Sequence, residues 1–309
     1  MDGSRFVIEA SEVESMAREA GLTVLELLPT LVKPVQNLAR PPISNFRVGV
    51  VGLGSDGRIF AGVNLEFLGV PLHHSVHAEQ CLTANLAAHG VTRLIALAVS
   101  AAPCGHCRQF LQELRGSSAV QILITSDKDP TFRPLSSLLS NPFGPFDLLD
   151  DNTPLLLEPH HNGLSIPSLA LCNGLNTKLC NGHRDPSETL DRELEIAALE
   201  AANLSYAPYS GCPSGAALVD GEGRIYKGWY MESAAYNPSL GPIQAALSAY
   251  VVAGCGEYDR IVGGVLVEKE AAVVRQEEVA RILLKAIAPK CEIRVLHCVA
   301  STSNGWKRD

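Results

Sequence analysis

The chain has 309 residues, 46% of them hydrophobic, and a formal net charge of −8, with a pI near 5.6 and a mean hydropathy of +0.12. That length accommodates two domains of ordinary size with well-filled cores, and the composition excludes a disordered tail. With no Lys/Arg run and no basic helix there is no electrostatic footprint for a polyanion, which argues against nucleic acid polymers as substrates. No apolar run approaches about 18 residues, so no membrane association is expected. Met1-Asp2-Gly3-Ser4-Arg5 leads into a mixed acidic segment rather than an apolar signal, which predicts a cytoplasmic protein.

From the N-terminus, Ser11-Glu12-Val13-Glu14 and Thr23-Val24-Leu25-Glu26 both read as capping boxes ahead of helical patterns. Pro29 and Pro34 are expected to kink or divide the second helix, which ends near Ala39 and is closed by Pro41-Pro42. Phe46 to Val51 and Ile59 to Val63 read as strands joined by a turn at Ser55-Asp56-Gly57. Just beyond, Asn64 and Glu66 fall on one face and Leu65 on the other. A helix opens at His77 and runs through Ala84, Asn85 and Ala88. A buried strand follows at Leu94–Val99, then a helix after Pro103 and a strand at Val120–Ile124. Such an order predicts an α/β domain with a mixed sheet and helices on its faces. Residues 131–184, rich in Pro, Asn, Asp and His, read as a connecting segment partly ordered by docking. Phe143-Gly144-Pro145-Phe146 is apolar enough to pack there, while His160-His161 reads as a surface pair.

The chemistry concentrates in His77-Ala78-Glu79 and Pro103-Cys104-Gly105-His106-Cys107. Together they offer an imidazole, two thiols and one carboxylate that need not bind metal. Three protein ligands leave the fourth tetrahedral position of zinc open for water, whereas a structural site fills all four. His77, Cys104 and Cys107 are therefore the candidate ligands of a single Zn²⁺ per chain. Thiols at a helix N-terminus face the positive end of the dipole, which favours the thiolate form that binds metal. His73, His74 and His106 read as bystanders. Of nine cysteines, the seven outside the pair read as buried free thiols rather than a disulfide framework. Cys172, Cys180 and Cys212 lack the tight spacing of a second metal site.

An internal repeat organises the rest. Pro208-Tyr209-Ser210 through Gly223-Arg224-Ile225, Gly228 and Glu232 repeats Pro42-Ile43-Ser44 through Gly57-Arg58-Ile59, Gly62 and Glu66 at a constant offset. A helix beginning near Pro186 mirrors the one near Thr23. Allowing one deletion, Pro242 falls where His77 stands and Gln244 where Glu79 stands, and nothing between Glu268 and Lys290 replaces the cysteines. The second copy is expected to fold alike without holding zinc.

These residues resemble the cytidine deaminases of the long, homodimeric type, in which a catalytic domain precedes a degenerate copy. The resemblance runs through Pro42-Ile43-Ser44, Asn64-Leu65-Glu66-Phe67, Val76-His77-Ala78-Glu79-Gln80, Pro103 to Phe110 and Phe143-Gly144-Pro145, then Pro213-Ser214-Gly215 and Ala235-Tyr236-Asn237-Pro238. His-x-Glu followed by Pro-Cys-x-x-Cys is the zinc deaminase signature. The resemblance implies two tandem three-layer α/β/α domains, each with a mixed sheet. Residues 1–22 then form an N-terminal helical arm, 23–130 the catalytic domain and 185–309 the non-catalytic repeat. It also implies that Glu79 is the general acid/base and that Asn64 and Glu66 bind the ribose, chiefly its 3′-hydroxyl. Phe46 would pack on the pyrimidine, Ala78 would contact substrate, and Phe143 would reach the pocket of the other subunit in a homodimer. Without that resemblance Phe46 reads as a core residue. Relatives commonly have Thr or Ser where this chain has Ala102, and a backbone carbonyl receiving the substrate amino group is unaffected.

The implied reaction is cytidine plus water to uridine plus ammonia, in pyrimidine salvage. Zinc lowers the pKa of bound water toward about 7, and Glu79 passes a proton first to N3 and then to the departing amino group. Two other readings stand beside it. Cys104-Gly105-His106-Cys107 is also a thiol–disulfide exchange motif, although that leaves His77 and Glu79 unexplained. A binding protein with structural zinc is the other.

Overall fold

The computed structural model describes residues 5–167, 169 and 186–300. The described residues fall into two compact units. One takes residues up to Pro159 together with Glu232–Leu240 and Ser248–Cys255, and the other takes the remainder.

In the first unit a short strand, β1 (Val7–Ile8), leads into α1 (Ala10–Ala20) and α2 (Val24–Gln36). Thr23 caps α2 in the expected box: its Oγ1 accepts the Glu26 amide and Glu26 Oε2 accepts the Thr23 amide. The box expected at Ser11 is absent, because α1 already begins at Ala10 behind Glu9, which places Ser11 inside the helix. Nor do Pro29 and Pro34 divide α2, which runs unbroken and ends at Gln36 rather than near Ala39. The carbonyls they leave without an i+4 donor belong to Leu25 and Thr30, both on the exposed side where water can serve.

The hairpin of β2 (Gly49–Gly54) and β3 (Ile59–Val63) forms as expected, paired from Gly49↔Val63 to Leu53↔Ile59. Gly57 in its turn has φ +83°, a conformation that suits glycine. The first strand starts at Gly49 rather than Phe46 because Asn64 intervenes. Its Nδ2 donates to the Phe46 carbonyl and its Oδ1 accepts the Val48 amide, so this backbone bonds to a side chain instead of a ladder. Then come α3 (Ala78–Ala88), β4 (Leu94–Val99), α4 (Gly105–Phe110), β5 (Gln121–Ile124) and β6 (Arg133–Pro134), giving a sheet ordered β1-β3-β2-β4-β5-β6. The β4–β5 pair is parallel and the others are antiparallel. Gly49 and Gly52 sit on opposite faces of β2. A Cβ on Gly49 would strike Gln36 of α2, and one on Gly52 would strike Leu82 of α3, so a helix closes over each face. Three layers result.

The second unit repeats the plan. It contains β7 (Leu164–Ser165), α5 (Pro186–Asn203), β8 (Ser214–Asp220), β9 (Ile225–Trp229), β10 (Ile261–Lys269), α7 (Glu277–Ile287) and β11 (Glu292–Ala300). The strand order is β7-β11-β10-β8-β9, and a core of Leu194, Ala198, Ala217, Val265 and Val267 lies beneath. β11 pairs with β10 over Glu292–Cys298 but meets β7 only at Val299 and Ala300. Helix α6 (Pro242–Val252) follows β9 and, like α3, has 11 residues.

Close packing corrects the expected alignment of the two copies. A Cβ on Gly62 would strike Ala78 O and Leu82 N, and one on Gly228 would strike Pro242 O and Ala246 N. Pro242 thus stands where Ala78 does, not His77. Gly241 takes the place of His77, Ile243 that of Glu79 and Gln244 that of Gln80. The loop before α6 is shorter by two residues than its counterpart, not one.

Candidate active site

Two helix N-termini build the site. His77 is the N-cap residue of α3 and Cys104 that of α4, each in extended backbone before the first turn. The first amides of a helix have no backbone partner within it, so both ends turn donors toward the site, where the Cys107 amide bonds Cys104 and the Glu79 amide bonds its own carboxylate. β3 delivers the chain toward α3, and β4 ends at Val99, shortly before Pro103-Cys104.

His77 Nδ1 lies 3.4 Å from Cys104 Sγ and 3.3 Å from Cys107 Sγ, and the two sulfurs are 3.7 Å apart. Glu79, 3% exposed, accepts from the Cys107 thiol at 3.2 Å. The donor atoms of His77, Cys104, His106 and Cys107 fall within 4.8 Å of one another, and among the described residues no other such cluster occurs. The thiols and the imidazole perturb one another strongly. Its hydrogen bond with Cys107, with His77 beside it, brings the Cys104 thiol down to about 3, against the opposing effect of burial. Cys107 is driven up because Cys104 takes the charge first, with burial and Glu79 adding to it. The bond to Cys104 raises His77, and burial raises Glu79. One imidazole and two thiols around a common point are a donor set that suits Zn²⁺.

The site opens into a cleft of about 300 Å³ lined by Ser44, Phe46, Asn64, Glu66, His77, Ala78, Glu79, Ala102 and Cys104 among others. Phe46 is 61% exposed and therefore belongs to the cleft wall, not to the core. Glu66 does more than face the cleft: its Oε2 accepts the Ile43 and Ser44 amides and its Oε1 accepts the Ser44 hydroxyl. These bonds outweigh burial and hold its carboxyl below the usual range. Leu65 between Asn64 and Glu66 is buried, as the alternation requires. Phe143 is 46% exposed and does not line this cleft. Its carbonyl accepts from Gln109 Nε2.

Sequence reasoning passed over three residues. His106, set aside as a bystander, has its ring 4.9 Å from that of His77 and a buried Nδ1 with no partner. Gln80 and Ser44 were quoted only as parts of motifs, and each bonds the backbone or side chain of a site residue. His160 and His161 are not a metal pair, since each ring bonds nearby backbone. Cys212 is buried and free, while Cys172 and Cys180 lie outside the described residues.

With that geometry in hand, the likeness to known proteins is close. Residues 23–123 and 135–281 each match a family described as the cytidine and deoxycytidylate deaminase zinc-binding region. Cytidine deaminase 1 of Arabidopsis thaliana is 57% identical, over 96% of this chain and 99% of its own. A cytidine deaminase of Serratia proteamaculans is 35% identical over 91% and 86%. The crystal structure of cytidine deaminase from Mycobacterium tuberculosis, 32% identical, covers 39% of this chain and 97% of its own, with a TM-score of 0.35.

Proposed function

Because the chain belongs to the cytidine deaminase family, we propose that its cleft hydrolyses the 4-amino group of cytidine and of deoxycytidine. The enzyme is a zinc-dependent hydrolase acting on a nucleoside, and the products are uridine, or deoxyuridine, and ammonia. The observation that carries the assignment of roles is the convergence of His77 Nδ1 with both cysteine sulfurs, with Glu79 Oε2 beside Cys107. His77, Cys104 and Cys107 are the residues that would hold the metal. Zinc, when bound there, lowers the pKa of a water molecule toward about 7.

Glu79 handles the protons. Its carboxylate accepts one from the water and delivers it to N3 as the oxygen adds at C4; it then takes the second from the new C4 hydroxyl and gives it to the amino group as C4–N breaks, C4=O forms and ammonia leaves, acting as base and then acid. The Ala78 amide, first in α3 and without an intrahelical partner, would donate to the 2-carbonyl oxygen of the pyrimidine. Phe46 covers the pyrimidine. Asn64 and Glu66 take the sugar at its 3′-hydroxyl, with Glu66 held in place by Ser44 and Ile43. A carboxylate kept charged at the sugar edge repels a phosphate, which disfavours nucleotides.

We assign the protein to pyrimidine salvage in the cytoplasm, as a homodimer in which Phe143 of each chain serves the partner's cleft. Its exposure and its place off its own cleft support that role. No helix among the described residues is long and apolar enough to cross a membrane. Residues 1–22 are taken as the N-terminal arm, 23–130 as the catalytic domain, 131–184 as the connector and 185–309 as the non-catalytic copy. The test is to incubate purified protein with cytidine, deoxycytidine and CMP and follow the loss of cytosine absorbance. Both nucleosides react, CMP does not, a chelator stops the reaction and added zinc restores it. A metal-free protein whose Cys104–Cys107 pair exchanges disulfides instead would overturn this reading.

A further inference from the structure

Two successive carbonyls of the degenerate copy meet the two helices that carry the ligands. Gln80 Nε2 donates to the Pro238 carbonyl at 2.9 Å in a buried contact, and His106 donates to the Asn237 carbonyl. Gln80 stands one turn into α3, and its Oε1 accepts the amide of His77 at 3.1 Å. His106 stands between Cys104 and Cys107 in α4, with its ring 4.9 Å from that of His77 and inclined by 31°. All these residues, with Glu232–Leu240, belong to one compact unit.

The segment that supplies the carbonyls is itself tightly held. Tyr236 has φ +62°; its amide bonds to Ser233 O, and the Ser239 amide bonds to Tyr236 O. The Ser233 amide bonds to Ser239 Oγ, and the fully buried Glu113 takes the Ala234 amide at 2.7 Å. An acceptor pair fixed this firmly can transmit position to whatever bonds to it.

Helix capping accounts for the presence of a glutamine here, since the second copy keeps Gln244 at the equivalent place in α6, against Gly241 and without any ligand. What is particular to the first copy is that Gln80 and His106 converge on adjacent residues from two different helices. Metal affinity depends on ligand atoms being held in place before the ion arrives, and contacts behind the ligands set that placement.

We propose that Asn237-Pro238 is a cross-brace for the zinc centre, and that Gln80 and His106 are positioning residues that lock the N-termini of α3 and α4 at the separation the ligands need. The proposal rests on His77, Cys104 and Cys107 being those ligands. It also gives the degenerate copy a part in the chemistry without any catalytic group of its own.

The test uses the full-length zinc-loaded protein at 25 °C and measures the rate of zinc transfer to a chromogenic chelator, the thermal midpoint, and kcat and KM for cytidine. Gln80→Leu and His106→Leu each speed zinc loss about 10- to 100-fold, the usual cost of removing a contact behind a metal ligand. Gln80→Glu keeps the acceptor for the His77 amide but sets oxygen against the Pro238 carbonyl, and it behaves like Gln80→Leu. In all three kcat falls while KM is unchanged, because the sugar contacts are intact. Combined, Gln80→Leu and His106→Leu give less than the product of their separate effects, since they serve one brace. Leu86→Ala, in the core of α3, lowers the thermal midpoint but leaves zinc loss at the parent rate. If Gln80→Leu does not fold, Gln80→Glu and His106→Leu decide the matter. Zinc loss at the parent rate in those two proteins, whatever their midpoints, overturns the brace while leaving the ligand assignment standing. A parent protein that carries no zinc removes that assignment, and the brace falls with it.

Discussion

Gly49 admits Gln36 of α2 and Gly62 admits Ala78 and Leu82 of α3; in the second copy Gly215 admits Ala202 of α5 and Gly228 admits Pro242 and Ala246 of α6. These contacts fix how each helix seats on its sheet, and both copies keep them. The bridge between Arg40 and Leu65 likewise returns as one between Tyr206 and Met231. The copies part company at the helix N-termini. There His77, Glu79 and the two cysteines of the first copy have, in the second, Gly241 and Ile243 at the first two places and no cysteine pair. The scaffold and the chemistry are thus specified by different residues, and losing the second leaves the first intact. Glycines at close approaches govern architecture, and the proposed chemistry rests on donors at helix ends.

The sharpest way to break that division is at Glu79. Glu79→Gln lowers kcat by about two to four orders of magnitude, the size of a general acid/base contribution, while zinc content by metal analysis stays at the parent value. Its structural counterpart behaves differently: Ile243→Val leaves kcat unchanged and lowers stability by about 0.5–1.5 kcal/mol in denaturant titration. Equal loss of turnover in both would refute the division.

Next come the glycines. A Cβ at Gly62 would stand 2.3 Å from Ala78 O, and one at Gly228 would stand 2.0 Å from Ala246 N, both backbone atoms that cannot swing aside. Gly62→Ala and Gly228→Ala each cost about 1–3 kcal/mol or more, seen as lower unfolding midpoints. Only Gly62→Ala also loosens zinc, since it displaces the residue next to His77.

A smaller effect is expected at Asn64, whose place in the second copy is taken by Tyr230. Asn64→Ala frees the backbone at Phe46 and Val48 and raises KM for cytidine about tenfold, or about 1.4 kcal/mol, in the range for losing a pair of partly buried hydrogen bonds. An unchanged KM would mean that this amide does not shape the cleft.

The smallest concerns Glu158, which pairs with Arg115 at 2.9 Å. The Arg115 guanidinium, together with the Leu155 amide, holds the Glu158 carboxyl below its ordinary 4.5. Its stabilising contribution is therefore complete above that value and fades as pH falls through the lower folded value. Glu158→Gln should melt below the parent at pH 7 by an amount equivalent to about 0.2–1 kcal/mol, with the gap closing in acid. A gap of constant size would show that the ion pair is not its source.

Much of this was legible in the chain, for reasons that can be named. β3 and β4 were placed correctly because short apolar runs bounded by turn residues have few alternatives. Thr23 with Glu26 marked a real cap. Ser11 with Glu14 has the same spacing, yet the chain leaves β1 and enters α1 too early for Ser11 to cap it. The convergence of His77, Cys104 and Cys107 was legible because few other chemistries need an imidazole, two thiols and a carboxylate at those spacings. The register of the second copy was not, since a gap within a loop leaves no trace that one sequence can locate, whereas a glycine pressed against a helix locates it at once. Nor could the sequence show that Glu232–Leu240 would lie in the same compact unit as His77. That depends on which hydrogen bonds close over a long separation, and spacing along the chain does not encode it.

β11 has a consequence for how the protein behaves in concentrated solution. Over Glu292–Cys298 it has a strand on one side only, among the described residues, and such a margin invites sheets from separate molecules to join. Glu292, Arg294 and His297 are exposed along it, and Arg294 is pinned by Asp191 and Glu195 of α5. An incoming strand must settle against the charges of Glu292 and Arg294, which disfavours edge-to-edge growth of the sheet.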